Sequence, residues 1–68
     1  MRIIEAKAVV RGVERVTFLI SAGDSTEDKP RESASLGKIC EGSLHMETDT
    51  GKLYAYNEKA EDYLVWRE

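Results

Sequence analysis

Two short alternating runs face each other across Asp49-Thr50-Gly51-Lys52, and no other feature constrains this chain so tightly. Aspartate at the start of a turn accepts hydrogen bonds from nearby backbone amides. Glycine takes the left-handed conformation that a G1 bulge requires. Closing the loop with Thr48 opposite Lys52 sets Met46 across from Tyr54 and Leu44 across from Tyr56. In that register these four share one face, while Ser43, His45, Glu47 and Asn57 share the other with Leu53 and Ala55. A slip of one residue would set both tyrosines opposite polar side chains. The pattern therefore predicts a hairpin over Leu44 to Asn57, with Asp49 and Gly51 as its turn and His45 and Glu47 on a solvated face.

A second polar turn, Asn57 to Asp62, leads to the apolar run Tyr63-Leu64-Val65-Trp66, which completes a three-strand meander. Upstream, Arg2 to Val10 alternates with period two, with Ile4, Ala6, Ala8 and Val10 on one face. Its alanine, lysine and glutamate are also good helix formers, so a short helix is the competing reading. Gly12 interrupts the pattern, and Glu14 to Ser21 reads as a strand rich in β-branched and aromatic residues. The two runs form an N-terminal hairpin. From 22 to 35 the chain is polar, charged and nearly free of apolar anchors, and it holds the single proline, so a long surface loop is expected there. Leu36 to Cys40 reads as a short strand or as an extended entry into the next element. The prediction is one mainly β domain over residues 1–68, a small antiparallel sheet or a sandwich or barrel of about five strands.

Sixty-eight residues bound what this domain can do alone. So short a chain buries only about 60% of its unfolded surface, and one core of this size rarely supplies more than roughly 3–5 kcal/mol. With a single cysteine, Cys40, there is no intrachain disulfide, and Cys40 with His45 cannot fill a four-ligand zinc site. Association is the stabilising route left, so a homo-oligomer or a subunit docked on a larger assembly is expected. The net charge of −3 argues against nucleic acid. No apolar run reaches the roughly 20 residues of a membrane-spanning helix. The opening Met1-Arg2-Ile3-Ile4-Glu5 lacks the features of a signal peptide, and the unpaired thiol fits synthesis in a reducing cytoplasm.

Reactive constellations are sparse. Ser43, His45 and Glu47 form a column, but side chains two apart on a strand point in parallel and do not converge as an oriented base requires. Cys40 has no adjacent cation to activate it. Glu58, Glu61 and Asp62 lack the spacing and turn glycine of a calcium loop. Gly51-Lys52 is not a phosphate loop, because no upstream glycine precedes it and no helix follows. The expectation is a protein that is not an enzyme and needs no cofactor or metal. Its candidate fold or interface anchors are Tyr54, Tyr56, Tyr63 and Trp66, since aromatic residues dominate interface energetics.

Several segments occur in a familiar order: Val10-Arg11-Gly12, Val16 to Ser21, Ser25 to Pro30, Glu41-Gly42-Ser43-Leu44, Glu47 to Asn57, and the closing Trp66. Together they resemble short structural proteins of tailed bacteriophages and prophages. Those proteins carry a Lys-Pro loop, a Gly-Ser step, an Asp-Thr-Gly turn, a Tyr-x-Tyr strand and a terminal aromatic strand. The resemblance spans about Val10 to Trp66, with a longer spacer over Arg31 to Lys38 and a charged final turn as departures. It implies a virion protein made in the bacterial host cytoplasm, a capsid decoration or head-associated subunit that binds capsid proteins. A tail or baseplate part is the alternative within that group. A free regulatory or inhibitor module acting on a host protein is the alternative outside it.

Overall fold

The computed structural model describes residues 2–34 and 36–67, so Ser35, the last position of the expected loop, lies outside the described residues. Five strands follow one another along the chain: β1 (Arg2–Arg11), β2 (Glu14–Gly23), β3 (Leu44–Glu47), β4 (Leu53–Asn57) and β5 (Asp62–Arg67). They lie side by side in that same order in one sheet, with β1 and β5 as its unpaired edges. The sheet is open, and no helix occurs among the described residues. The segment 2–11 is therefore strand. The N-terminal hairpin and the C-terminal meander both form as expected.

The first hairpin turns at Gly12 and Val13. Gly12 has φ of 60° and stands first of the two central residues, the position where a type II′ turn requires glycine. Arg11 pairs with Glu14, and the ladder runs regularly back to Glu5 opposite Ile20 before a bulge shifts it at Ile3.

The two halves join through a parallel pair, β2 with β3. Parallel neighbours need a long crossover, and the chain supplies it as the segment 24–43, a strap that returns to the start of β3. The end of the strap already runs beside β2. Thr17 donates its N–H to Lys38 O at 2.8 Å and accepts from Cys40 N at 2.8 Å, so that Ile39 sits opposite Thr17. Glu41 and Gly42 then leave the ladder. Ser43 closes the gap, its hydroxyl oxygen accepting the Leu19 N–H at 3.0 Å in place of a backbone carbonyl. The Gly-Ser step thus restores pairing after a detour.

One register differs from the expectation. Leu44 pairs with Ala55, His45 with Tyr54 and Met46 with Leu53, so the strands are slipped by one residue from the pairing that the alternation favours. The turn closes at Glu47 and Lys52, whose N–H and C=O meet at 2.9 Å, and the loop holds four residues, Thr48 to Gly51. Gly51 takes the expected left-handed conformation, with φ of 78°. The cause of the slip lies outside the hairpin. The Thr48 N–H donates to Gly23 O at 2.9 Å, which commits Thr48 to the end of β2 and removes it from pairing with Lys52.

The core is correspondingly unusual. Its buried apolar members are Val16, Leu19, Ala22, Ile39 and Tyr63, and Ser21, Ser43, His45 and Glu47 are buried with them. Ala22 and Gly23 belong to the buried end of β2 and not to the loop in which the sequence placed them. Pro30 is buried as well, so the strap lies against the sheet and is not a solvated connector throughout.

Candidate functional site

Residues directly opposite one another in a ladder project to the same side of a sheet, and neighbours along a strand alternate. Two faces follow from the observed pairing. The first carries Leu19 and Ser21 of β2, His45 and Glu47 of β3, Tyr54 and Tyr56 of β4 and Tyr63 of β5. The second carries Ile20 and Ala22, Leu44 and Met46, Leu53 and Ala55, and Leu64.

The strap covers most of the first face, leaving Val65 at the β5 edge half-exposed. Lys29 lies 4.1 Å from the centre of the Tyr54 ring, and its ammonium stands 3.6 Å from a Glu47 carboxylate oxygen. Asp49 ties the β3–β4 turn to the start of the strap, accepting from the Ser25 N–H at 2.9 Å and the Ser25 hydroxyl at 2.6 Å. These bonds hold its carboxyl below the usual aspartate range. Arg31 pairs with Asp62 at 2.9 Å on the far strand.

Beneath the strap lies a compact polar cluster. The Ser21 hydroxyl lies 2.9 Å from His45 Nδ1 and 3.3 Å from Leu44 O. Donating to the carbonyl leaves its oxygen to accept from Nδ1–H, which makes Nε2 the unprotonated nitrogen. The His45 and Tyr63 rings lie 6.0 Å apart, and Tyr63 meets Tyr56 edge-on at 5.1 Å. His45 Nε2 and the Tyr63 hydroxyl are both buried without a hydrogen-bond partner. Burial disfavours the imidazolium, and Lys29 opposes it further, so the His45 pKa falls below its ordinary value. Burial also pushes the Tyr63 phenol up to about 12. Glu47 accepts the Thr50 hydroxyl at 2.7 Å, which holds its pKa down.

His45 and Glu47 are therefore core residues, where the sequence placed them on a solvated face. His45 is 1% exposed and Glu47 5% exposed. The slipped register turned both inward, where Ser21 of β2 meets His45, and Thr50 of the turn and Lys29 of the strap meet Glu47. Nothing within the hairpin reveals this, because Leu44 and Met46 alternate with His45 and Glu47 in equal measure. Ser43, His45 and Glu47 share a face, but the serine that touches the imidazole is Ser21, from another strand. Ser43 is committed to Leu19. The buried dyad offers no open path to a substrate, and no group of three metal-ligating side chains gathers among the described residues.

The second face has no strap over it and is only partly covered: Ala22 is buried, Ile20, Leu44, Leu53 and Ala55 are half-buried, and the rest is open. Ile20, Leu44, Ala55 and Leu64 make one row across four strands, and Ala22, Met46 and Leu53 make the next. Met46 is 46% exposed and Leu64 48% exposed, and beside them Trp66 is 62% exposed. Ala55, Leu64 and Trp66 line a shallow depression that Glu41 and Gly42 border. The four aromatic anchors thus divide. Tyr54, Tyr56 and Tyr63 pack under the strap, whereas Trp66 is presented to the outside.

At the opposite end of the strands an ion cluster joins the two hairpins. The Arg11 guanidinium grips both oxygens of Glu58 at 2.8 Å and reaches Glu14 at 2.6 Å, and Glu14 also holds Lys38 at 2.9 Å. Glu58 and Glu41 exchange carboxylate and amide contacts at 2.7 and 2.9 Å. The arginine and the Glu41 amide hold the Glu58 carboxyl at about 2. The cluster is a clamp between the first hairpin and the last turn. The sequence carried no sign of it, since its members are far apart in the chain.

No protein-family model, curated protein or solved structure matches this chain. No helix among the described residues is long and apolar enough to cross a membrane.

Proposed function

We propose that this chain is a structural protein of a tailed-phage particle, a capsid decoration or stabilising subunit that acts by protein–protein contact and catalyses no reaction. The observation that carries this reading is the division of the sheet into a strapped face and a bare one. Exposed Met46, Leu64 and Trp66, with half-buried Leu44 and Leu53 between them, make the bare face apolar, with the methionine and aromatic content typical of interface cores. A decoration subunit needs a rigid body with one adhesive side, and the strap and ion clamp supply the rigidity. The resemblance of the ordered motifs from Val10 to Trp66 supports the particle as the setting, and the capsid lattice as the surface bound.

Mass spectrometry of purified particles, with heads and tails separated, tests the reading. The chain is expected in the head fraction in fixed ratio to the capsid protein. Its absence from particles overturns the proposal, and confinement to tails moves it to the tail. Leu64→Lys, which alters only the bare face, is expected to leave the isolated fold unchanged and to abolish incorporation.

A further inference from the structure

The edge strand β1 poses a question that the bare face does not answer. From Arg2 to Ala8 it is exposed along its length, and its outer edge pairs with nothing. Such an edge is a template for another strand, and proteins usually blunt it with a bulge, a proline or repelling charges. At the other edge, β5 is bulged at Trp66, where the register with β4 shifts. β1 carries a bulge too, between Ile3 and Glu5, but is regular from Glu5 to Arg11.

The backbone of β1 is also oriented for pairing. The type II′ turn makes Arg11 and Glu14 a hydrogen-bonded pair. Alternation along an antiparallel ladder then directs the N–H and C=O groups of Val10, Ala8 and Ala6 away from β2, toward the open edge. The side chains at this edge are small, and its charges alternate in sign: Glu5 and Lys7 flank Ala6. Neither takes part in an ion pair among the described residues, and both are exposed.

We infer that β1 pairs antiparallel with β1 of a second copy about a two-fold axis at Ala6. In this register Glu5 faces the partner's Lys7, and Lys7 faces the partner's Glu5, at the closely spaced non-hydrogen-bonded positions. Ala6 faces its own symmetry mate, and the bulge at Ile4 lies just outside this stretch. Moving the axis to Lys7 or to Glu5 brings like charges together. Moving it to Ala8 sets Glu5 against the partner's Arg11, which is already engaged with Glu58 and Glu14. Only the axis at Ala6 satisfies both free charges and leaves the clamp intact. Glu5 and Lys7 share the side of Ile20 and Phe18, so the dimer continues the bare faces of two copies into one broader surface. The inference stands apart from the virion reading, because it concerns the purified chain alone.

Light scattering and sedimentation equilibrium on the purified chain test it. The wild type is expected to sediment as a dimer. Glu5→Lys and Lys7→Glu each turn two attractive pairs into repulsive ones, which raises the dissociation constant by about tenfold or more. The double exchange E5K/K7E restores attraction and brings the constant back to within about threefold of wild type. Circular dichroism verifies that each variant stays folded. A monomeric wild type, or single variants that dimerise as well as wild type, overturns the inference. So does a double exchange as weak as the single variants. None of these results bears on whether the chain is found in particles.

Discussion

The β1–β2 ribbon and the β3–β5 meander are written in the same period-two alternation, yet they occupy different physical situations. Most of β1 has solvent on both sides, and its register is set locally by a two-residue turn that leaves little choice. The meander has a strap on one face and none on the other, and a hydrogen bond from Thr48 to the neighbouring strand selects its register. A sheet pattern therefore specifies strands more securely than it specifies which side of them is buried. Where one face receives a cover from elsewhere in the chain, the cover decides.

The sharpest way to break this comparison is to remove packing in each region. Tyr63 of the meander is buried under the strap, and Tyr63→Ala is expected to cost about 3–5 kcal/mol in urea unfolding, enough to undo much of a domain of this size. Val10, 66% exposed on the ribbon, should change stability by no more than about 0.5 kcal/mol when replaced by alanine. Equal costs would mean that the ribbon is packed against something in solution.

A smaller effect separates the turns from the strands they join. Gly51 and Gly12 both hold positive φ, and nothing lies within 4 Å of a Cβ built at either site, so substitution strains the backbone without a clash. Gly51→Ala and Gly12→Ala are each expected to cost about 1–2 kcal/mol. A cost at Gly12 but none at Gly51 would show that the β3–β4 register is held by Thr48 and the strap alone.

The smallest effect is a dependence on pH that only the covered region should show. His45 has a folded-state pKa below its ordinary value of about 6.5, so the unfolded chain takes up a proton first as pH falls. Stability that is fully present above that value declines below it, until the folded state also protonates. The urea midpoint is expected to drop between about pH 7 and pH 5, and His45→Gln should flatten that slope. The drop below about pH 4.5, where Glu58 and Asp49 are held ionised, should remain in the variant. A midpoint independent of pH in the upper window would contradict the burial of His45.

Much of the architecture was legible from residues alone. Alternation and turn chemistry predicted both hairpins, the last strand and the conformation of Gly51, because each depends on contacts a few residues apart. The strap was legible as a long polar loop, but its docking was not. Lys29 and Pro30 carry no local signal that they will meet Tyr54 and Glu47. The interior placement of His45, the Ser21–His45 contact and the Arg11–Glu58 clamp each join residues distant in the chain.

Residue order alone thus marks a small β domain and the places where its strands turn, and a single cysteine leaves these residues no disulfide among themselves. The parallel joint, the one-residue slip of the β3–β4 hairpin and the choice of the strapped face arise only when distant segments meet. The physical reason is that a strand with apolar residues on one side and mixed residues on the other is stable with either side inward. Ser21 on the neighbouring strand takes one nitrogen of the buried histidine, and Thr50 with Lys29 of the strap holds the buried glutamate, so the mixed side can turn inward. Once the strap docks, the apolar side is left outward.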